Sequence, residues 1–227
     1  MKKQIIQISL FALVISSLFV ACKSDSDSTA PAITLNGRNP DSLAMLVAYV
    51  DLGATAKDDK DGTLTSSIAV DVSDVDNKLP DSYIVTYSVS DAAGNSATAQ
   101  RDVVVYANPA GLARNYTVKD SCGTGAALLV FNYSQSPVAF NGTQIKFNKF
   151  ADYGGNTSIV ATVNRDGTIN LPSQSVTNIG GAGGNPLENH TFVGTGHVTA
   201  TGFMLEYTDH NDSNGSSANC KAYFSRV

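Results

Sequence analysis

Tyr83-Ile84-Val85-Thr86-Tyr87-Ser88-Val89-Ser90-Asp91-Ala92-Ala93-Gly94-Asn95 decides the fold of the first part of the chain. Tyr83, Val85, Tyr87 and Val89 fall on one face of an extended segment, with Ile84, Thr86 and Ser88 on the other, the period-two alternation of a half-buried strand. Asp91 to Asn95 is rich in small and turn-forming residues and closes a hairpin into Ser96–Ala107, whose core is Val103-Val104-Val105. Upstream, Leu79-Pro80-Asp81-Ser82 is a turn, Ile68–Val72 alternates as a half-buried strand, and Pro31 opens an extended stretch, Ala32–Leu35, that turns at Asn36-Gly37. Six or seven short strands over residues 31–107 is the spacing of a β-sandwich.

Three segments, Gly53-Ala54-Thr55-Ala56, Asp61-Gly62-Thr63-Leu64-Thr65 and the run from Tyr83 to Asn95, resemble a bacterial immunoglobulin-like (Ig-like) domain. Surface lipoproteins, adhesins and a pesticidal crystal protein carry domains of this kind. The resemblance covers residues 31–107 and implies a spacer or binding scaffold. It puts Tyr83 at a tyrosine corner and Val85 where antibody domains have their second cysteine. The acidic run Lys57–Gly62 fails the EF-hand frame, which would put Lys57 at position 1 and Ile68 at position 12. A looser Ca²⁺ cage from Asp58, Asp59 and Asp61 is the alternative to a solvated turn.

Asn108-Pro109-Ala110-Gly111 breaks the strand and reads as a linker, residues 108–111. Beyond it, residues 112–227 hold about eight candidate strands: Asn115–Ser121, Ala127–Tyr133, Gln144–Phe150, Ile159–Asn164, Thr168–Leu171, His190–Thr199, Phe203–Tyr207 and Ala218–Phe224. Asp166-Gly167 marks a hairpin turn, residues 180–184 read as a glycine-rich loop and Asp209–Ser217 as a polar loop. The expectation is an all-β chain in which the sandwich is followed by a small antiparallel β-barrel, whose closure removes exposed edges, or by a second sandwich. Ile145–Phe150, Val163–Gln174 and Gly194-Thr195-Gly196 are similar to the C-terminal β-domain of uncharacterised lipoproteins, a resemblance that implies no activity.

The chain opens with Lys2 and Lys3, then an apolar run from Ile5 to Val20 that is short for a membrane span. This is the pattern of a cleaved signal peptide, residues 1–21. Leu18-Phe19-Val20-Ala21-Cys22 resembles a bacterial lipobox, which implies lipidation (palmitate) at Cys22 and anchoring to the outer membrane. Residues 22–30 then form a polar, anionic tether. Lys23 and the acidic residues after it resemble the surface-export signal of some Gram-negative lipoproteins, implying exposure at the cell surface. With Cys22 lipidated, Cys122 and Cys220 are an even pair in an exported protein and read as a disulfide near the first and last strands of the barrel; two free buried thiols are the alternative.

Without the leader the chain has 13 Lys and Arg against 20 Asp and Glu, a net charge of −7, and no basic cluster. No nucleic-acid partner is therefore expected. The glycine-rich loop follows no strand–helix phosphate motif, and no G-x-S-x-G elbow occurs. His197, Glu206, Asp209 and His210 could approach one another on neighbouring strands, but surface positions are the default. A non-catalytic role is expected: an Ig-like spacer presenting a β-domain for accessory binding of a glycan or surface partner, beside Sus-like uptake proteins. Sugar faces stack on aromatic rings, and the chain has no Trp. The candidate contacts are Tyr133, Tyr153, Tyr207 and Tyr223. The alternatives are a lipocalin-like barrel carrying an apolar ligand, lined by Leu128, Val130, Phe147, Val160 and Phe203, and a purely structural or adhesive protein.

Overall fold

The computed structural model describes residues 26–227 apart from 125–126, 154–156 and 182–184. The expected signal peptide, Cys22 and the start of the expected tether lie outside the described residues. The alternating segments form two facing sheets. One is three-stranded, in the order β1 (Ala32–Leu35), β3 (Ala54–Asp58), β4 (Gly62–Thr63). The other is four-stranded: β2 (Asp41–Ala44), β7 (Ser96–Tyr106), β6 (Asp81–Ser90), β5 (Ala69–Asp71), with β2 and β7 parallel. Val85, Tyr87, Val103 and Ala54 are buried together between them. The Tyr83 hydroxyl donates to the Leu79 carbonyl at 2.9 Å, the bond of a tyrosine corner. β5 departs from expectation: all three residues are exposed, because it is an edge strand with a single neighbour.

One fully buried cation pins this sandwich. Arg101 has the same strand parity as Val103 and Val105, so the pleat turns it inward. Its Nη2 donates to the carbonyls of Asn36 (2.7 Å) and Gly53 (2.9 Å), its Nη1 to that of Arg38, and its Nε to the Tyr87 hydroxyl (3.0 Å). Asp51 lies 3.7 Å from Nε and accepts from the Tyr49 and Tyr87 hydroxyls.

The remaining strands make one nine-stranded antiparallel sheet: β8 (Tyr116–Thr124), β9 (Ala127–Gln135), β10 (Val138–Ala139), β11 (Gln144–Phe147), β12 (Ile159–Val163), β13 (Thr168–Gly181), β14 (Asn185–Thr199), β15 (Gly202–Asn211) and β16 (Ser217–Arg226). β10 to β16 follow in sequence order, after which β16 pairs with β8 and β8 with β9, leaving β9 and β10 as the two edges. The sheet curls around a core of Phe147, Phe150, Phe192, Phe203 and Phe224, with Phe203 and Phe224 stacked at 4.2 Å. Gly194 and Gly196 let β14 press against β15, since a Cβ at either would sit 2.0–2.3 Å from a β15 carbonyl oxygen.

These features correct two expectations and bear out a third. The five residues expected to line an apolar cavity do not share one: Phe147 and Phe203 are locked in a filled core, while Leu128 and Val130 are exposed on the edge strand β9 and Val160 is half-buried on β12. Cys122 and Cys220 form the expected disulfide, as directly opposed residues of β8 and β16, the first and last strands of this sheet along the chain. Residues 108–111 are a packed junction. Asn108 caps the one-turn helix α1 (Pro109–Leu112) by accepting from the Gly111 amide at 2.7 Å, and Leu112 shares a core with Met45, Val105 and Tyr116. Across this junction the Ala107 amide donates to the Arg165 carbonyl (2.9 Å), and the Arg165 guanidinium lies 3.8 Å over the Tyr106 ring.

Candidate functional site

β8 carries Tyr116, Val118, Asp120 and Cys122 on the face that the curl turns inward, so an acid stands in an otherwise apolar row. Asp120 is 1% exposed and accepts from the hydroxyls of Tyr207 (2.6 Å) and Tyr133 (3.2 Å). Register brings a second acid beside it. On β14 and β15, Phe192 lies opposite Asp209, and His190 comes in from the same strand face as Phe192. Nδ1 of His190 is 2.5 Å from Asp209 Oδ1, and the Tyr153 hydroxyl donates to Asp209 Oδ2 at 2.6 Å. Glu188 stands 3.4 Å from His190 Nε2 and is held by the Asn211 side-chain amide at 2.8 Å.

A pocket of about 260 Å³ opens over Asp120 and Asp209. Its walls are Tyr153, Ala218, the Cys122 end of the disulfide and, from the edge strand, Leu129 and Phe131, which are 65% and 42% exposed. The turn through Ala151 and Asp152 completes the rim with both residues at positive φ (55° and 57°). A non-glycine residue held there costs on the order of 1–3 kcal/mol and persists where surrounding structure fixes it. The pocket thus offers ring faces, aliphatic rim and anchored acceptors.

Burial pushes the Asp120 carboxyl above its ordinary 3.8, against the lowering effect of the Tyr207 and Tyr133 hydroxyls, and the nearby Asp209 adds to the rise. Burial followed by the adjacent carboxylate likewise pushes the Tyr133 and Tyr153 hydroxyls up. Because folded Asp120 holds its proton more tightly than unfolded Asp120, its contribution to stability is fully present below 3.8 and is lost as pH rises through the folded value. Urea midpoints measured from pH 3 to 7 for the native chain and Asp120→Asn should therefore diverge, the variant gaining relative stability as pH rises. Parallel curves would show that Asp120 is not held this way.

Of the four tyrosines expected from sequence, Tyr133, Tyr153 and Tyr207 converge on the two acids. Tyr223 stands apart on the outer face of β16, its ring 5.5 Å from Lys221 Nζ. His197, Glu206, Asp209 and His210 do not gather. Glu206 pairs with Lys221 at 2.7 Å on the outer face, His210 meets Ser217, and strand parity turns Asp209 inward to His190. A broader outer groove of about 740 Å³, between Val193, Thr195, Glu206 and Lys221, is shallow and offers no exposed aromatic face. Asp58 and Asp61 lie with Asp27 and Asp91 at one end of the sandwich, with Asp59 outside that group. The sequence reading missed Asp120 and His190. For Asp120 the parity of β8 is the signal, an acid between Val118 and Cys122.

Comparison with known proteins matches residues 33–105 to the bacterial surface protein Ig-like domain. No curated protein matches the chain. Among solved structures it is similar to the lipoprotein BT2262 from Bacteroides thetaiotaomicron, at 18% identity and a TM-score of 0.34 over 86% of this chain and 100% of that one. It is also similar to the CBM51-2 and INT domains of Clostridium perfringens ZmpB, solved with GlcNAc, at 17% identity and a TM-score of 0.28 over 86% of this chain and 48% of that one. The all-β chain thus carries, at residues 33–105, an Ig-like domain of the bacterial surface-protein family.

Proposed function

We propose that this is a non-catalytic lipoprotein of the outer-membrane surface, anchored at Cys22, whose Ig-like module spaces a glycan-binding β-domain from the membrane. The observation that carries the reading is the pocket in which Tyr153 and Phe131 flank the acids Asp120 and Asp209. At about 260 Å³ it falls below the roughly 300–1,000 Å³ of sites for drug-sized ligands, so it takes one sugar ring rather than a chain. Anchored carboxylates accept from sugar hydroxyls or a sugar amine, whereas two neighbouring acids repel acidic sugars. The ligand class is therefore a neutral or amine-bearing terminal sugar, delivered to or from a Sus-like uptake partner. Cys122 and Cys220 are held in the disulfide, which removes a thiol nucleophile from the pocket.

A glycan array probed with the full chain in detergent tests this. Binding is expected to neutral or amino sugars and to fall at least tenfold in Tyr153→Ala and in Asp209→Asn, since a hydrogen bond to a charged group is worth about 1.5–3 kcal/mol. Tyr223→Ala, altered on the outer face, should bind as the native chain does. A blank array, or loss on changing Tyr223 but not Tyr153, would overturn the assignment.

A further inference from the structure

Four carboxylates from three separate stretches meet at one end of the Ig-like sandwich. Asp27 precedes β1, Asp58 ends β3, Asp61 lies in the turn before β4, and Asp91 begins the β6–β7 turn. One oxygen from each lies within 4.8 Å of all the others. Backbone amides set these side chains in place: Thr29 donates to Asp27 Oδ1 (3.0 Å), Lys60 and Asp61 to Asp58 Oδ1 (2.9 and 3.0 Å), Ala92 to Asp61 Oδ2 (2.8 Å), and Asn95 to Asp91 Oδ1 (2.8 Å). No Lys, Arg or His among the described residues makes an ion pair with any of the four.

A separate observation points to a ligand. Asp58 Oδ2 is buried, with less than 1 Å² of accessible surface, and has no hydrogen-bond partner, although Oδ1 of the same carboxylate accepts two amides. A buried anionic oxygen without a donor is costly, and three like charges beside it raise the cost. A cation at the convergence point removes both penalties. The donors are all oxygen, the choice of a hard ion, and neither nitrogen nor sulfur is present to favour zinc. The Asp27 carbonyl accepts from Asn95 Nδ2 at 3.3 Å, which joins the segment before β1 to the β6–β7 turn.

We propose that Asp27, Asp58, Asp61 and Asp91 bind one Ca²⁺. The ion ties the segment that leaves the tether to the β3–β4 and β6–β7 turns. Asp27 is only five residues beyond Cys22, so the ion fixes where the chain leaves the sandwich toward its anchor. The ligand set differs from the sequence expectation in using Asp27 and Asp91 and leaving out Asp59.

Calcium alone is titrated calorimetrically into the full chain after stripping with EDTA, and the melting temperature is followed with and without the ion. One saturable site is expected in the range of extracellular modules, about 10⁻⁴–10⁻³ M, with a rise in melting temperature. Asp27→Asn and Asp61→Asn should each weaken binding at least tenfold, and Asp59→Asn should leave it unchanged. The sign of the stability effect separates an ion site from repulsion alone. With a site, Asp61→Asn melts higher than the native chain in EDTA and lower than it in saturating Ca²⁺. Higher melting in both conditions, no saturable heat about tenfold beyond that range, or binding unchanged in both cluster variants would overturn the proposal.

Discussion

Arg101→Met is expected to destabilise the Ig-like module by about 3–5 kcal/mol, the usual cost of removing one partner of a buried ion pair. The methionine keeps the apolar stem of arginine but none of its donors. Asn36, Arg38 and Gly53 lose the guanidinium from their carbonyls, and Asp51 keeps only its tyrosine and backbone donors. Against a total stability of about 5–15 kcal/mol for a domain, that loss decides whether the module folds. Urea unfolding followed by tyrosine fluorescence measures it. Arg101→Lys should fall between the two, because an ammonium restores the charge but not the planar fork. A loss under about 1 kcal/mol in Arg101→Met would mean that the guanidinium does not hold the sandwich together.

The second large effect is expected in Cys122→Ala/Cys220→Ala. The bridge spans a sequence separation of 98, for which chain-entropy arguments give about 4–5 kcal/mol. The loss should be near that figure, because the two residues are already opposed in the β8–β16 register and the bridge asks no rearrangement of the strands. Comparing urea midpoints of the oxidised chain, the reduced chain and the double variant checks it. The last two should coincide, and equality of all three would show that β8 and β16 hold together unaided. Since Cys122 also walls the pocket beside Asp120, sugar affinity should fall along with stability.

The two halves of the fold were not equally legible. The run from Tyr83 to Asn95 carries its period and its turn together, so strand and hairpin could be read from it, while the tyrosine corner came from its resemblance to Ig-like domains. β13 could not. Pro172 and its polar neighbours read as the end of a strand at Leu171, yet pairing resumes at Gln174 after a register shift and again at Ile179 after another, so bulges absorb what local sequence marks as a stop. Val138–Ala139 is too short to announce a strand at all.

The candidate site was legible residue by residue and not as a place. Tyr133, Tyr153 and Tyr207 were chosen for their chemistry, but their convergence depends on the curl of the sheet, which no spacing records. Sequence alone groups Asp209 with His197, Glu206 and His210, as residues of neighbouring strands. The pleat sends Asp209 to the opposite face, where His190 waits on the adjoining strand. Arg101 shows the same limit from the other side: its parity with Val103 and Val105 was visible, but a charge at that position reads as solvent-facing until the carbonyls it serves are known.

The junction at α1 bears on how such chains can be recombined. A linker would let either half be grafted onto a foreign neighbour. Here Met45 and Val105 from one half and Leu112 and Tyr116 from the other complete a single core, and a Cβ added at Gly111 would come within 2.7 Å of Met45. A crossover at residues 108–111 would strand apolar surface on both products. The exchangeable unit is therefore the pair, and a new protein built from this one would inherit the Ig-like module and the pocket together.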